Sequence, residues 1–206
     1  MNIMFDTGAN QCWIPTAVCS DSDCPNRKFE ESKSNTFVDS RDIGQVTYIS
    51  GDVTGTYATD KFCLSQDFCT KTDFKFLAIT QAADLSQLKA DGVCGLQPSQ
   101  ETPIAGELVP ALYDNGRINR QVFSIHLTDS VSTSFIEFGT PQTNENLFVK
   151  IDLANNPSVW STYLSATNIE GIKSTGLVFD SSATYIHFPD SDMAALFSKM
   201  ESAAPL

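Results

Sequence analysis

Apolar residues in this chain come in short runs rich in aromatic and β-branched side chains, broken by Gly, Pro, Asn, Asp and Ser. Such runs between turn formers read as strands. They predict strands at Gln45–Tyr48, Gly55–Leu64, Phe74–Ile79, Val122–Leu127, Phe135–Phe138, Leu147–Leu153 and Trp160–Ala166. Helical patterns are few. Pro110–Asn115 is one, and Ser191–Glu201 is the other, with Met193, Leu196, Phe197 and Met200 at helical spacing. Many short strands and few short helices indicate an all-β architecture. The segment Gly139-Thr140-Pro141-Gln142-Thr143-Asn144 reads as a connection followed by fresh strand patterns. A boundary near 145 therefore divides the chain into 1–145 and a much shorter 146–206.

The length of 206 residues allows one large domain or two modest lobes with a real hydrophobic core. No apolar run reaches membrane-spanning length, so no membrane partner is expected. The net charge of −12 argues against nucleic acid as a partner. The same charge suits work in an acidic medium, where surface carboxylates become neutral, or serves solubility alone. Six cysteines are present. Cys19/Cys24 and Cys63/Cys69 each bracket a short polar segment, and local spacing favours these two bridges, each closure worth roughly 2 kcal/mol. Zinc is the weaker alternative, because the spacings are not C-x-x-C and His126 and His187 lie far off in sequence. No metal or cofactor is expected. Disulfides imply an oxidising route: secretion, or a lysosomal or vacuolar compartment reached through it. The few residues ahead of Asp6 leave no room for a leader in this stretch.

One motif occurs twice. Phe5-Asp6-Thr7-Gly8-Ala9 reappears as Phe179-Asp180-Ser181-Ser182-Ala183, and a proline follows each copy at the same distance, Pro15 and Pro189. In both copies the aspartate follows an apolar residue and precedes small ones, which is how a carboxylate is presented on a tight turn at a strand end. Two such turns facing each other across a pseudo-twofold axis would place two acids in one site, a basis for hydrolysis by an activated water.

With that repeat, the chain resembles the pepsin and cathepsin D family of aspartic peptidases. Phe5-Asp6-Thr7-Gly8-Ala9-Asn10-Gln11-Cys12-Trp13-Ile14-Pro15 is similar to the first catalytic loop and the strand after it. Val46-Thr47-Tyr48-Ile49-Ser50-Gly51-Asp52-Val53-Thr54-Gly55 resembles the flap hairpin. Asp91-Gly92-Val93-Cys94-Gly95-Leu96 resembles the segment threading beneath the first loop, and Leu177-Val178-Phe179-Asp180-Ser181 the second catalytic strand. The resemblance covers nearly the whole chain. It implies a bilobal, pepsin-like fold with an incomplete C-terminal lobe, residues 1–145 holding the first loop and flap and 146–206 the second loop. It also implies a chain truncated at both ends, poorly soluble and inactive when expressed alone.

By the same resemblance Asp6 and Asp180 are the catalytic acids of a monomeric endopeptidase acting on polypeptides. Thr7, Gly8, Ser181 and Ser182 support the loops. Tyr48, Ser50 and Gly51 form the flap, and the Tyr48 hydroxyl meets the indole N–H of Trp13. Met4 and Val93, with Leu85 or Leu88, line an apolar pocket and imply a preference for hydrophobic side chains at the scissile bond. Cys19 and Cys24 occupy the place of the small first disulfide loop. Cys12 and Cys94 stand where leucines are usual, and are either two buried thiols or a third bridge.

Three positions depart from the pattern. Ala9 and Ala183 replace hydroxyl residues that donate to the aspartates, which should raise the pair's pKa values and shift the working range to less acidic pH. Ser182 stands at a glycine position, where a side chain would crowd the pair or the substrate. A non-catalytic relative that binds peptides or proteins in the cleft is the alternative reading.

Overall fold

The computed structural model describes residues 1–206 except 21, 26, 49–50, 102, 140–148, 155–157, 164–170 and 204–206. The strands are β1 (Ile3–Asp6), β2 (Trp13–Pro15), β3 (Val38–Tyr48), β4 (Gly51–Asp60), β5 (Cys63–Ser65), β6 (Phe68–Cys69), β7 (Phe74–Ala83), β8 (Gly92–Gly95), β9 (Phe123–His126), β10 (Phe135–Phe138), β11 (Ser161–Tyr163) and β12 (Gly176–Val178). Two α-helices accompany them among the described residues, α1 (Leu108–Asp114) and α2 (Asp190–Ala203). The mostly β character follows the hydrophobic pattern directly.

Six strands form one sheet in the order β1-β8-β2-β7-β4-β3, and three two-stranded ribbons, β5-β6, β9-β10 and β11-β12, stand apart from it. The central strands of the six-stranded sheet are buried on both faces. Along β7, Phe74, Phe76 and Ala78 enter one core, while Leu77 and Ile79 enter the other. The same alternation sends Ile14 and Cys94 to the first core and Trp13 and Val93 to the second. Helix α1 caps the first core with Leu108, Val109 and Leu112. Pro110 sits in its first turn, where a backbone N–H has no helical partner to lose.

Three disulfides join Cys12–Cys94, Cys19–Cys24 and Cys63–Cys69. The third bridge ties the residue before β2 to β8, a link that the spacing of the cysteines leaves open. Two predicted strands are corrected. The run Gly55–Leu64 is broken at Lys61 and Phe62, where the Phe62 N–H donates to Thr70 Oγ1 at 3.0 Å and the Thr70 N–H to the Phe62 carbonyl at 2.8 Å. The described part of Leu147–Leu153, residues 149–153, forms no strand. Val149, Ile151 and Leu153 are all exposed, so no apolar face of that segment is buried to hold it in a ladder. The boundary near 145 lies outside the described residues.

Helix α2 positions the chain ahead of the second aspartate. Its Asp192 carboxylate accepts the N–H groups of Lys173 at 3.0 Å and Ser174 at 2.8 Å, pinning the approach to β12. The Phe179 N–H then donates to the Trp160 carbonyl at 2.8 Å, just ahead of the turn that carries Asp180.

Candidate active site

Asp6 ends β1, which pairs in parallel with β8 in the register Met4↔Val93, Phe5↔Cys94 and Asp6↔Gly95. The chain beyond β8 runs beneath the turn that follows Asp6. The Leu96 N–H donates to the Asp6 carbonyl at 2.8 Å, the Gln97 N–H to the Ala9 carbonyl at 3.1 Å, and the Gln97 side-chain amide to the Gly8 carbonyl at 2.6 Å. A Cβ at Gly95 would stand 2.4 Å from the Ala9 carbonyl oxygen, so this approach requires glycine there.

The two copies of the repeated motif meet crosswise. Thr7 Oγ1 donates to the Phe179 carbonyl at 3.0 Å and accepts the Ser181 N–H at 2.8 Å. Ser181 Oγ donates to the Phe5 carbonyl at 2.9 Å and accepts the Thr7 N–H at 3.0 Å. Each hydroxyl thus repeats on the opposite turn what the other does, a near-twofold arrangement between segments far apart in sequence. Within each turn an amide points back at its own acid: Gly8 N–H to Asp6 Oδ1 at 2.7 Å, and Ser182 N–H to Asp180 Oδ1 at 2.9 Å.

The result sets the two carboxyl groups against one another. Asp6 is only 2% exposed, whereas Asp180 is exposed. Burial holds the Asp6 carboxyl above the usual carboxylate range. The Gly8 amide offsets part of that rise, and the neighbouring Asp180 adds to it. Side-by-side acids of this kind favour the state in which one proton is shared between them.

A cleft of about 540 Å³ opens above Asp6, walled by Met4, Trp13, Leu85, Leu88 and Val93, with Tyr48 and Ser182 at its edge. Trp13 is fully buried, and its indole N–H donates to the Tyr48 hydroxyl at 2.8 Å. Burial pushes that hydroxyl's pKa up to about 12, so Tyr48 stays neutral. Tyr48 pairs with Gly51 across the β3–β4 hairpin, and a Cβ at Gly51 would lie 2.2 Å from the Ala83 carbonyl oxygen. Ser50, expected in the same hairpin, lies outside the described residues. A second cavity of about 470 Å³, lined by Thr7, Leu96, Leu108, Phe123, Trp160 and Phe179, contains neither aspartate.

This geometry agrees with the comparison against known families. A model of the family "Eukaryotic aspartyl protease" matches residues 1–205. The chain belongs to the eukaryotic aspartyl protease family. It is 27% identical to gastricsin of Oryctolagus cuniculus over 133 residues, covering 64% of this chain and 34% of that protein. It is 27% identical to pepsin A of Gallus gallus over 141 residues, 67% of this chain and 38% of that protein. With vacuolar protease A of Aspergillus fumigatus it shares 25% identity over 210 residues, 96% of this chain and 52% of that protein. The chain spans between about a third and about half of these curated relatives.

Within this aspartyl protease chain, two contacts were not read from the sequence. Gln97 clamps the first turn through the Gly8 carbonyl, and Trp160 donates from its indole N–H to the Leu96 carbonyl at 2.6 Å. The place of Gln97 directly after Gly95-Leu96 was the available signal for the first. Nothing in the local pattern around Trp160 points to the second. Ser182 also differs from expectation. Its side chain turns toward the acids and bonds one of them, its hydroxyl donating to Asp180 Oδ1 at 2.7 Å.

Proposed function

We propose that this chain carries the catalytic pair of an aspartic endopeptidase, with Asp6 and Asp180 jointly holding the water that attacks the peptide carbonyl. The observation that supports this most directly is the reciprocal set of bonds among Thr7, Ser181, Phe5 and Phe179, which joins the two acid-bearing turns crosswise. The ionised member of the pair takes a proton from water while the protonated member donates to the carbonyl oxygen as it gains charge. The leaving amine is protonated as the C–N bond breaks. Tyr48, its hydroxyl held by the indole N–H of the buried Trp13, closes the cleft over the substrate. Met4, Leu85, Leu88 and Val93 form an apolar wall suited to hydrophobic side chains beside the scissile bond.

The protein follows the secretory route, to the outside or to a lysosomal or vacuolar compartment. The three disulfides and the likeness to pepsins and vacuolar protease A support that reading. Both acids come from one chain, which supports a monomer acting on polypeptides. The alternative is a relative that binds peptides without cleaving them, favoured by the Ser182 side chain against the pair. Cleavage of an acid-denatured protein at several pH values, by wild type and by Asp6→Asn and Asp180→Asn, separates the two. Turnover lost in both variants supports the peptidase. Peptide capture in the cleft with no turnover above the double variant supports the binder.

A further inference from the structure

The two turns match in backbone bonding and differ where a side chain follows each acid. At Gly8 there is no room for one, since a Cβ would stand 2.6 Å from Asp180 Oδ2. At the equivalent position Ser182 carries a hydroxyl, and that hydroxyl reaches Asp180 Oδ1 at 2.7 Å. Asp180 Oδ1 therefore accepts both the Ser182 amide and the Ser182 hydroxyl, while Asp6 Oδ1 accepts the Gly8 amide. Donors and water favour a charged carboxylate, and burial favours a neutral one.

We propose that Ser182 is a positioning residue of the acid pair, whose hydroxyl holds Asp180 as the carboxylate and leaves the shared proton on Asp6. The assignment rests on the peptidase reading for its catalytic meaning, and it fixes the direction of the chemistry. A hydroxyl has one proton to give. Given to Asp180, that proton is withheld from Asp6, whose pKa burial raises and a Ser182 hydrogen bond would lower. Asp180 then takes a proton from water, the hydroxide oxygen bonds to the carbonyl carbon, and the Asp6 proton passes to the carbonyl oxygen. Collapse of that diol returns a proton to Asp6, breaks the C–N bond and sends the Asp180 proton to the amine. Beginning and ending states of both acids are the same, so the cycle closes.

Other titratable groups around the pair do not reverse this order. Tyr48, on the flap side, is neutral throughout the acid range, its pKa pushed up to about 12. Lys89 lines the same cleft as an exposed side chain, and β8, beneath the pair, is Gly92-Val93-Cys94-Gly95 and contributes no charge.

Two measurements on the full chain test the proposal. The first is the pH profile of cleavage of an apolar quenched-fluorescent peptide by wild type, Ser182→Ala and Ser182→Thr. Loss of the hydroxyl in Ser182→Ala should move the acidic limb up by about one pH unit, the order expected for one bond to a charged group. Ser182→Thr, which keeps the hydroxyl, should restore the wild-type limb. The second follows the carboxyl carbons of ¹³C-aspartate-labelled protein by NMR and needs no turnover. In wild type the single shared proton should reside on Asp6, and in Ser182→Ala it should spread over both acids. Turnover whose limb is the same in wild type and Ser182→Ala, or a shared proton found on Asp180 in wild type, overturns the inference and leaves the peptidase reading standing. The expected NMR pattern without turnover that depends on Asp6 supports the proton assignment and removes the peptidase reading.

Discussion

Thr7→Val preserves the shape of a buried side chain and deletes the hydroxyl that grips the opposite turn. It strands the Phe179 carbonyl and the Ser181 N–H, whose bonds to Thr7 Oγ1 measure 3.0 and 2.8 Å. Ser181→Ala does the mirror-image damage to the Phe5 carbonyl and the Thr7 N–H, bonded at 2.9 and 3.0 Å. A net hydrogen bond is worth about 1 kcal/mol, and stranded groups that stay dry cost up to about 3. Phe179 and Ser181 are exposed and can rehydrate, so the lower half of that range applies on their side. Thr7→Val should therefore cost roughly 2 kcal/mol, and Ser181→Ala about the same or slightly less. In a domain of this size that lowers Tm by about 4–8 °C. All four bonds join the same two turns, so once one hydroxyl is gone the other has less left to hold. The double variant should lose at least about 1 kcal/mol less than the sum of the singles. Urea titrations of the four proteins, followed by near-ultraviolet circular dichroism, measure this cycle. Single losses below about 0.5 kcal/mol that simply add would show that the turns are held together by something other than these hydroxyls.

Asp6→Asn should change the pH dependence of stability as well as abolish turnover. Burial raises the native carboxyl above its ordinary 3.8, so native protein binds more protons than unfolded chain just above that value, and stability falls as pH rises through the native pKa. Asparagine has no such penalty, so the variant's relative stability should grow above about pH 4 and converge with wild type in more acidic buffer; parallel denaturation curves at all pH values would contradict this. Cys12→Ser with Cys94→Ser opens a link of sequence separation 82. The chain-entropy relation puts the loss at roughly 4.5 kcal/mol, against roughly 2 for the Cys63–Cys69 loop, and thermal unfolding of the two double variants checks the order. Gly8→Ala drives a methyl against Asp180 Oδ2, where a Cβ would stand at 2.6 Å, and should lower kcat by about 100-fold with little change in KM. Tyr48→Phe leaves the buried Trp13 N–H without its 2.8 Å partner and should cost about 1–2 kcal/mol in thermal denaturation, with native-like stability counting against the bond.

Much of the fold was legible in local pattern because strands are a local property. The runs at Phe74–Ile79, Val122–Leu127 and Phe135–Phe138 each contain a strand within a residue or two of their bounds or extend into one. The pattern misled over the described residues 149–153 of the Leu147–Leu153 run, because apolar alternation makes a strand only where one face is buried against neighbours. It also ran through Lys61 and Phe62, where the Thr70 hydroxyl and backbone compete for the chain.

By itself the sequence determined the mostly β character, the repeated acidic turn, the local cysteine pairs and the family, since each is carried by neighbouring residues and their order. Tertiary structure alone decided what depends on distance between remote segments. Cys12 and Cys94 bond because β2 and β8 lie side by side in the sheet. Asp6 is shielded and Asp180 is open to solvent, although their turns are near copies. Ser182, which as a residue type promises only crowding, becomes a hydrogen-bond donor because its rotamer points at Asp180. Burial and donor count set the charge of a carboxylate, and both are sums over neighbours that no linear motif records.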